Sequence, residues 1–380
     1  MLGFDPTQEQ EALREMAHKF AANEIRPRAA EWDRDGVFPL ELFRKAFDLG
    51  LMTGFIPESY GGQGLSSLDT CFLEEEISWG CSGVATSMTA NGLALGPILL
   101  VGTEEQKRSF VAPFATAFRF ASFCLTEPGA GSDAGGIAAT ARRDGDGYVL
   151  NGRKCFITNG AHASQYTVFA STDRSRGHKG LSAFVVPREA PGVSSGKKED
   201  KMGQRASETS DVLFEDVRVP EANRLGAEGE GFKIAMRTLD YARASVAAMA
   251  VGVARAAYEH AADYARQRVQ FGQPIAMNQA IYFLLADMAT DIEAARLLTW
   301  KAAWLADQGK RNTKESSFAK AFAADLAMRA TTDAVQIFGG YGYMKDYPVE
   351  KLMRDAKLLQ IYEGTSQIQR MVIAKETLLR

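Results

Sequence analysis

Near its end the chain has the sequence LQIYEGTSQIQR, at residues 359–370. The apolar pattern before this stretch predicts a helix, and Gly364 ends that helix because glycine favours turns over helix interiors. Ser366, with Gln369 three residues later, is typical of a capping box and predicts the start of a last helix. Glu363 therefore lies on a short joint between two helices.

Two local effects act in opposite directions on the pKa of the Glu363 carboxyl. An apolar pocket around the carboxyl would raise this pKa, whereas a helix that begins just after it would lower it. No basic residue is adjacent to Glu363 in sequence. If burial dominates, the carboxylate is suited to take a proton near neutral pH; otherwise Glu363 is a solvated side chain at a helix end.

The composition is that of an ordinary globular protein. A chain of 380 residues is long enough for two or three domains with a large core. The formal net charge of -3 leaves no basic excess for binding nucleic acid. The longest apolar run, around residues 93–101, is too short to span a bilayer, and the first residues lack the pattern of a signal peptide. We therefore expect a cytoplasmic protein that does not insert into membranes.

The four cysteines are scattered along the chain. Cys71, Cys81, Cys124 and Cys155 form no C-x-x-C pair, and the histidines are not clustered. We interpret the cysteines as buried small side chains in a reducing compartment, and we expect no structural metal site.

The period of the apolar residues changes twice along the chain. Residues 1–115 have helical periodicity, with capping boxes predicted at Thr7 and Thr103. Residues 116–225 have short strand-like runs between Gly, Pro and Ser turns, which predicts a small barrel or sandwich. Residues 226–380 contain long amphipathic helices with short loops, typical of an antiparallel four-helix bundle. The predicted fold class is mainly α with a central small β domain.

Two short motifs in the middle third have a specific interpretation. Asn151 and Gly152 lie between strand-like runs and predict a tight hairpin. Residues 129–134 fit the outline G-x-G-x-x-A of a dinucleotide-binding loop. We reject that second interpretation because Gly135 and Gly136 would interrupt the helix that must follow, and the next residues have a strand pattern.

Several separated motifs resemble those of the acyl-CoA dehydrogenases, and the resemblance covers nearly the whole chain. The motifs include residues 361–370, 126–133, 156–160 and 266–274. Within the family the chain is most similar to the medium-chain enzymes. It departs from them at residues 85–89, where medium-chain relatives have a Gln and a Glu at the floor of the acyl pocket. The resemblance implies an N-terminal helical domain, a middle β-barrel and a C-terminal four-helix bundle.

The resemblance also implies an activity. Glu363 would remove the α-proton of a saturated short- to medium-chain acyl-CoA while hydride leaves the β-carbon for FAD, which gives the trans-2-enoyl-CoA. Electrons would pass to electron-transfer flavoprotein, in fatty-acid β-oxidation or branched-chain amino-acid catabolism. Some relatives place the base on the first bundle helix, where this chain has Ala242. The family is typically a homotetramer, packed as a dimer of dimers.

Site residues follow by the same resemblance. Residues 123–132 would wrap the flavin, Phe156 would shield one face of its ring, and Arg268 would reach the FAD of a neighbouring subunit. The positions implied for FAD are Phe123, Leu125, Thr126, Ser132, Phe156, Ile157, Thr158, Arg268, Gln270, Phe271, Gln279, Gln336, Gly339, Gly340, Thr365 and Gln367. The positions implied for substrate are Ser132, Asp240, Arg243 and Gly364.

Other interpretations of these residues remain open. By pattern alone, Thr158 is a strand-end hydroxyl, and Arg268 is a cation at a helix C-terminus that Gly272 terminates. Asp240 and Arg243, three residues apart, are a surface ion pair by the same reasoning. The rival functions are an acyl-CoA oxidase, a nitroalkane oxidase, which uses Asp as its base, and a non-catalytic acyl-CoA-binding or flavin-binding subunit.

Overall fold

Helices occupy both ends of the chain and a sheet occupies its middle. The computed structural model describes residues 5–379. The helices before the sheet are α1 (Gln8–Phe20), α2 (Ala29–Asp35), α3 (Leu40–Asp48), α4 (Ser67–Val101), α5 (Glu104–Phe110) and α6 (Ala112–Thr116). The predicted capping boxes are present at α1, where Thr7 pairs with Gln10, and at α5, where Thr103 pairs with Gln106. The predicted mainly α fold with a central β domain is confirmed.

The long helix α4 passes through the interior of the protein and bends at Cys81, whose backbone is extended (φ -167°, ψ 116°). Among the described residues, α4 is the one helix with the length and apolar composition needed to cross a membrane. In the most apolar 18-residue stretch of α4, 61% is buried within the protein. The core helix of a soluble protein can have the same length and apolar composition. The absence of membrane insertion stays a prediction.

A single eight-stranded sheet fills the middle of the chain. Its strands are β1 (Phe120–Cys124), β2 (Thr140–Asp144), β3 (Gly147–Thr158), β4 (Ala163–Ser171), β5 (Leu181–Pro187), β6 (Val193–Lys198), β7 (Thr209–Pro220) and β8 (Arg224–Leu225). The order is β6-β7-β3-β2-β4-β5-β8, and β1 pairs with β4 in parallel. All four cysteines are free and buried, as predicted. The described residues contain no group of three or more side chains that could hold a metal ion.

The predicted hairpin at Asn151 and Gly152 is wrong. Strand β3 runs through both residues, and the turn lies earlier, where Asp144 of β2 pairs with Gly147 of β3. Gly152 lies at an irregularity in the β3–β7 register, where a Cβ atom would approach the Cβ of Ala139 within 2.5 Å. The glycine is therefore explained by a bulge and a close contact rather than by a turn.

The C-terminal part is helical. It contains α7 (Gly231–Gln267), the short strands β9 (Val269–Gln270) and β10 (Gln273–Pro274), and then α8 (Gln279–Asp307), α9 (Thr313–Phe338), α10 (Val349–Leu359) and α11 (Ser366–Leu378). One hydrophobic core joins these helices to the N-terminal ones; it includes Ile77 of α4, Ala247 of α7 and Ala327 of α9. The joint between α10 and α11 therefore belongs to the same packed unit as α4 and α7.

The position of Gly272 after the helix predicted that it terminates α7, and this prediction is wrong. The helix ends at Gln267, and Phe271 (φ 53°) and Gly272 (φ 81°) form the turn between β9 and β10. Two successive residues with positive φ match the twist of a two-residue hairpin, which explains the glycine.

Candidate active site

Glu363 lies on the joint between α10 and α11 with an uncommon backbone conformation. Its φ is 52° and that of Gly364 is 92°. A positive φ is rare outside glycine and persists where surrounding contacts impose it. The Gln369 side chain donates to the carbonyls of Glu363 (3.2 Å) and Gly364 (3.0 Å), and Lys320 Nζ donates to the carbonyl of Gly364 (2.6 Å). These contacts hold the joint in place.

The capping box predicted at Ser366 and Gln369 is wrong. Thr365 caps α11, since its hydroxyl accepts a hydrogen bond from the N–H of Ile368 at 3.1 Å. The Ser366 hydroxyl instead donates to Asp325 at 2.8 Å. Because Gln369 is used to hold the joint carbonyls, it is not available to complete a capping box.

The side chain of Glu363 lies where two cavities meet. The first, which we call the sheet-side cavity, has a volume of about 440 Å³ and is bounded by β3, the loop after β1 and α7. The second, the helix-side cavity, has a volume of about 280 Å³ and is bounded mainly by α4 and α7. A group at this junction can contact a molecule in either cavity.

Burial governs the ionisation of Glu363. Its Oε2 atom is buried and has no hydrogen-bond partner among the described residues. Burial raises the pKa of the Glu363 carboxyl to about 7, and the positive charges of Lys320 and Arg243 offset part of the rise. Of the two opposed effects considered for this carboxyl, the apolar surroundings are the larger one.

The alternative position for a base contains no titratable group. Ala242 of α7 lines the helix-side cavity together with Glu363. A carboxylate at position 242 would therefore have reached the same cavity. In this chain position 242 has no carboxylate, and Glu363 is the carboxylate that lines both cavities.

Arg243 is buried rather than exposed, so the surface ion pair considered for Asp240 and Arg243 is wrong. Only 4% of Arg243 is accessible, and its Nη1 donates to Asp240 at 2.5 Å. The other oxygen of Asp240 accepts from the Thr313 hydroxyl at 2.6 Å. Arg243 also lines the sheet-side cavity, and its Nε has no partner among the described residues. Asp240 therefore fixes the Arg243 guanidinium, whose positive charge acts on Glu363.

The loop after β1 is anchored by a buried ion pair. The backbones of Glu127 and Ala130 exchange two hydrogen bonds (3.1 and 3.0 Å), which close the loop. Lys154 of β3 is fully buried, and its Nζ donates to the Glu127 carboxylate (2.7 Å) and to the Leu125 carbonyl (3.0 Å). Thr126 and Ser132 of this loop line the sheet-side cavity. The ion pair therefore holds one wall of that cavity.

The rejection of a dinucleotide-binding helix after this loop is confirmed. Ala134–Gly136 form only one short helical turn, and the next regular element is strand β2. The glycines of the loop therefore belong to a turn and not to the start of a helix.

Strand β3 contributes a second wall of the sheet-side cavity. Phe156, Ile157 and Thr158 all line it, and 66% of Phe156 is exposed. Thr158 is also the last residue of its strand, so its position agrees with both interpretations given above.

The other positions implied for FAD lie elsewhere. None of the following described residues lines either cavity: Arg268, Gln270, Phe271, Gln279, Gln336, Gly339, Gly340, Thr365 and Gln367. Phe271, at the tip of the β9–β10 turn, is 99% exposed, and a Cβ atom on Gly339 or Gly340 would meet nothing within 4 Å. In contrast, Phe123, Leu125 and the substrate positions Ser132, Arg243 and Gly364 line the sheet-side cavity.

The sheet-side cavity fits the ring of a flavin. It offers hydroxyls from Thr126, Ser132 and Thr158 for a polar ring edge, and apolar surface from Leu125 and Ile157 for the ring itself. A few polar groups in a mainly apolar cleft are typical of a cofactor site.

Three family models match the chain in succession. They describe the N-terminal domain (residues 7–117), the middle domain (122–217) and the C-terminal domain (229–378) of acyl-CoA dehydrogenases. The chain belongs to the acyl-CoA dehydrogenase family. This acyl-CoA dehydrogenase is therefore an oxidoreductase of fatty-acid metabolism, and its cofactor is FAD, on which the family depends.

The relatives of this acyl-CoA dehydrogenase include enzymes named for short acyl chains. The mitochondrial short-chain specific acyl-CoA dehydrogenase of Bos taurus is 50% identical over 363 residues, which are 95% of this chain and 88% of that protein. The solved butyryl-CoA dehydrogenase of Megasphaera elsdenii has a TM-score of 0.97 at 46% identity, with both chains fully covered. A chain from a structure described as the electron transferring flavoprotein of Acidaminococcus fermentans has a TM-score of 0.98 at 47% identity, again with full coverage.

Three charged residues at this site are not among those predicted from the sequence. Lys320 contacts the joint, Lys154 anchors the cavity loop, and Glu74 lines the helix-side cavity. Lys320 and Lys154 are single lysines whose partners are distant in sequence, so only the tertiary structure identifies them. Glu74 had a signal, since a run of three acidic residues within an apolar helix requires explanation.

Proposed function

We propose that this acyl-CoA dehydrogenase converts a saturated short- to medium-chain acyl-CoA into the trans-2-enoyl-CoA and passes the electrons to electron-transfer flavoprotein. Glu363 is the base. The observation that supports this proposal best is the buried, unpartnered Oε2 of Glu363 at the junction of the two cavities. The acyl chain would occupy the helix-side cavity, with its reacting carbons beside this carboxylate.

The pKa of Glu363 suits the abstraction of a weakly acidic proton. A carboxylate with a pKa of about 7 is a stronger base than an ordinary one and is still partly ionised at neutral pH. The burial of its Oε2 atom limits the access of water that would otherwise compete as proton donor or acceptor. Arg243 and Lys320 keep the ionised form available by placing positive charge nearby.

The thioester carbonyl needs a hydrogen-bond donor as negative charge builds on its oxygen. The backbone N–H of Glu363 makes no hydrogen bond to another residue within 5–379. We assign this N–H to the thioester oxygen, because a donor that is fixed in place before reaction stabilises developing charge most effectively. The same residue would then supply both the base and the donor.

Bound FAD supplies the acceptor for the hydride that leaves the β-carbon. Leu125, Thr126, Ser132 and Thr158 would hold the ring, and Phe156 would cover it against water. We further propose that Arg268, Gln270, Phe271, Gln279, Gln336, Gly339 and Gly340 serve the FAD of a neighbouring subunit, since they lie outside both cavities of their own chain. Thr365 and Gln367 also lie outside both cavities, and the family resemblance supports them as further FAD contacts.

The relatives support the proposed acyl chain length and the proposed electron acceptor. The short-chain specific and butyryl-CoA enzymes support a short acyl chain, and the likeness to a chain from an electron-transferring flavoprotein structure supports that acceptor. We propose a cytoplasmic homotetramer with domains at residues 1–115, 116–225 and 226–380, acting in fatty-acid β-oxidation or branched-chain amino-acid catabolism. Asp240 and Arg243 would contact the CoA portion of the substrate.

An anaerobic titration of the purified protein tests this function. Butyryl-, isobutyryl- and octanoyl-CoA are added separately, and the visible absorbance of the flavin is followed. Rapid bleaching by at least one of them is the expected result and ranks the acyl chains. Flavin that stays oxidised with all three would contradict the proposed substrate class.

A further inference from the structure

Helix α4 contains three successive glutamates, and only two of them have a cationic partner. Glu75 accepts from Arg255 and Arg296, each at 2.9 Å, and Glu76 also pairs with Arg255. Glu74 forms no ion pair with any residue in the described part of the chain. Buried carboxyl groups are normally paired with a cation or fully hydrogen-bonded, so Glu74 requires a separate explanation.

Glu74 points into the helix-side cavity. Only 3% of the residue is accessible, it lines the same cavity as Glu363, and its Oε2 is buried without a partner among the described residues. The cavity walls around it are largely apolar and include Leu73, Met88 and Val246. An apolar residue at position 74 would suit a purely hydrocarbon ligand better, because it would avoid burying an unsatisfied polar atom.

The protonation state of Glu74 limits what it can bind. Burial raises the pKa of the Glu74 carboxyl to about 8, the charge of Glu363 adds to the rise, and the Ser245 hydroxyl offsets part of it. Among the described residues no Lys, Arg or His lines this cavity, and its other titratable side chains are Glu363, Cys71 and Tyr241. Near neutral pH Glu74 is therefore mostly a neutral carboxylic acid, with one O–H to donate and a carbonyl oxygen that accepts.

We propose that Glu74 is a specificity-determining residue that binds a hydroxyl group on the distal part of the acyl chain, so that hydroxyacyl-CoAs are substrates of this enzyme. This inference rests on the function proposed above. A hydroxyl uses both capacities of a neutral acid, since its oxygen accepts from the carboxyl O–H and its own hydrogen is donated to the carboxyl oxygen. A distal carboxylate would instead place a third acidic group in a cavity without a cation, which disfavours dicarboxylic acyl-CoAs.

The test compares matched substrates in wild type, Glu74→Met and Glu74→Gln. Methionine has a similar length without hydrogen-bonding capacity, whereas glutamine keeps one donor and one acceptor. The substrates are pentanoyl-, hexanoyl- and octanoyl-CoA, each beside its ω-hydroxy counterpart, and kcat/KM is measured with an artificial electron acceptor. FAD content and melting temperature are recorded for every variant.

In wild type we expect kcat/KM for the hydroxylated substrate to match or exceed kcat/KM for its parent at one chain length or more. Glu74→Met should lower the ratio of kcat/KM for the hydroxylated substrate to kcat/KM for its parent by about 10- to 100-fold. Most of this change should come from lost activity on the hydroxylated substrate. The ratio for Glu74→Gln should lie between those of wild type and Glu74→Met. A ratio in Glu74→Met within twofold of wild type at every length would overturn the proposal. A wild-type ratio below about one-tenth at every length would also overturn it, and this result does not depend on the folding of a variant.

The same data separate this inference from the proposed function. If wild type oxidises the parent acyl-CoAs but the ratio does not respond to position 74, only the role of Glu74 is wrong. If wild type oxidises none of the six substrates, the proposed acyl-CoA dehydrogenation is itself contradicted.

Discussion

Lys320 of α9 donates a hydrogen bond of 2.6 Å from its Nζ to the backbone carbonyl of Gly364, the residue after the proposed base. Lys320 is fully buried, and burial lowers the pKa of its ammonium group to about 8 while the charge of Glu363 opposes this change. The lysine therefore acts on Glu363 in two ways. It fixes the strained joint through Gly364, and its charge keeps the pKa of the base from rising further.

Replacing Lys320 should shift the pH dependence of the reaction. In Lys320→Met the positive charge is lost, so the pKa of Glu363 should rise above about 7. Because the base must be ionised, the acid limb of the kcat/KM profile should move to higher pH, and activity at pH 7 should fall about tenfold or more. Lys314→Met, in the first turn of the same helix with 40% of its side chain exposed, is the control and should leave the profile unchanged. An unshifted acid limb in Lys320→Met would contradict the role of its charge.

Replacing Glu363 should remove the chemical step and leave binding. Glu363→Gln keeps the size and most contacts of the side chain but cannot accept the α-proton. We expect the rate of flavin reduction by acyl-CoA to fall by about 10²- to 10⁴-fold, the usual contribution of a general base. Stopped-flow absorbance measures this rate, and spectral shifts of the oxidised flavin on adding ligand measure binding. Reduction at the wild-type rate would rule out Glu363 as the base.

Much of the fold could be predicted from local signals in the sequence. The capping boxes of α1 and α5 depend only on residues three positions apart, and both are present as predicted. The change of apolar period likewise identified the central sheet. At the site, local signals placed Glu363 on a joint between helices, because Gly364 permits a positive φ.

The remaining features depend on contacts between residues distant in sequence. The pKa of Glu363 could not be predicted because its surroundings come from α7 and α9 as well as from its own joint. Gly152 was misinterpreted because its steric constraint, Ala139, belongs to a different part of the sheet. Pattern alone could not decide between a surface ion pair and a buried substrate contact for Arg243, because the spacing to Asp240 is the same whether a helix face is exposed or buried.

Glu74 should make the stability of the protein depend on pH. Its pKa of about 8 in the folded state lies above the ordinary value of 4.5, so the folded state retains a proton that the unfolded state loses. Its contribution to stability is therefore full below about pH 4.5 and decreases as pH rises towards 8. The side chain introduced in Glu74→Gln cannot ionise. The melting temperature of this variant minus that of wild type should therefore increase by several degrees from pH 5.5 to pH 8. Glu189→Gln, at an exposed position, is the control. A constant difference for Glu74→Gln would disprove this linkage.

The exposed hairpin between α7 and α8 should be needed for assembly. Phe271, at its tip, is 99% exposed in the single chain, and three of the proposed neighbour-facing FAD residues, Arg268, Gln270 and Gln279, lie near it in sequence. A fully exposed aromatic side chain is commonly a contact to a partner. In Phe271→Ala we expect a weaker oligomer by sedimentation velocity and FAD that dissociates more readily on dilution. An unchanged sedimentation coefficient together with unchanged FAD retention would contradict a role for this hairpin.

The buried pair Lys154–Glu127 should be essential for the shape of the flavin site. In Lys154→Met the Glu127 carboxylate, which also accepts from the N–H groups of Ala138 and Ala139, loses its cation inside the protein. Breaking a buried pair from one side costs about 3–5 kcal/mol, and here the Leu125 carbonyl also loses its donor. We therefore expect a lower melting temperature and weaker FAD binding, measured by fluorescence of released flavin.

Position 153 offers a matched control on the opposite face of β3. Arg153 pairs with Asp211 at 2.6 Å; the Arg153 side chain is 59% exposed and that of Asp211 is 12% exposed, so Arg153→Met should cost less stability than Lys154→Met, which removes a fully buried cation. Adding Glu127→Gln to Lys154→Met removes the uncompensated charge and should recover part of the stability. Because the Leu125 carbonyl still lacks its donor in the double variant, FAD binding should recover less than stability does. Full recovery of both would show that Lys154 acts only by neutralising Glu127 and does not position the flavin loop.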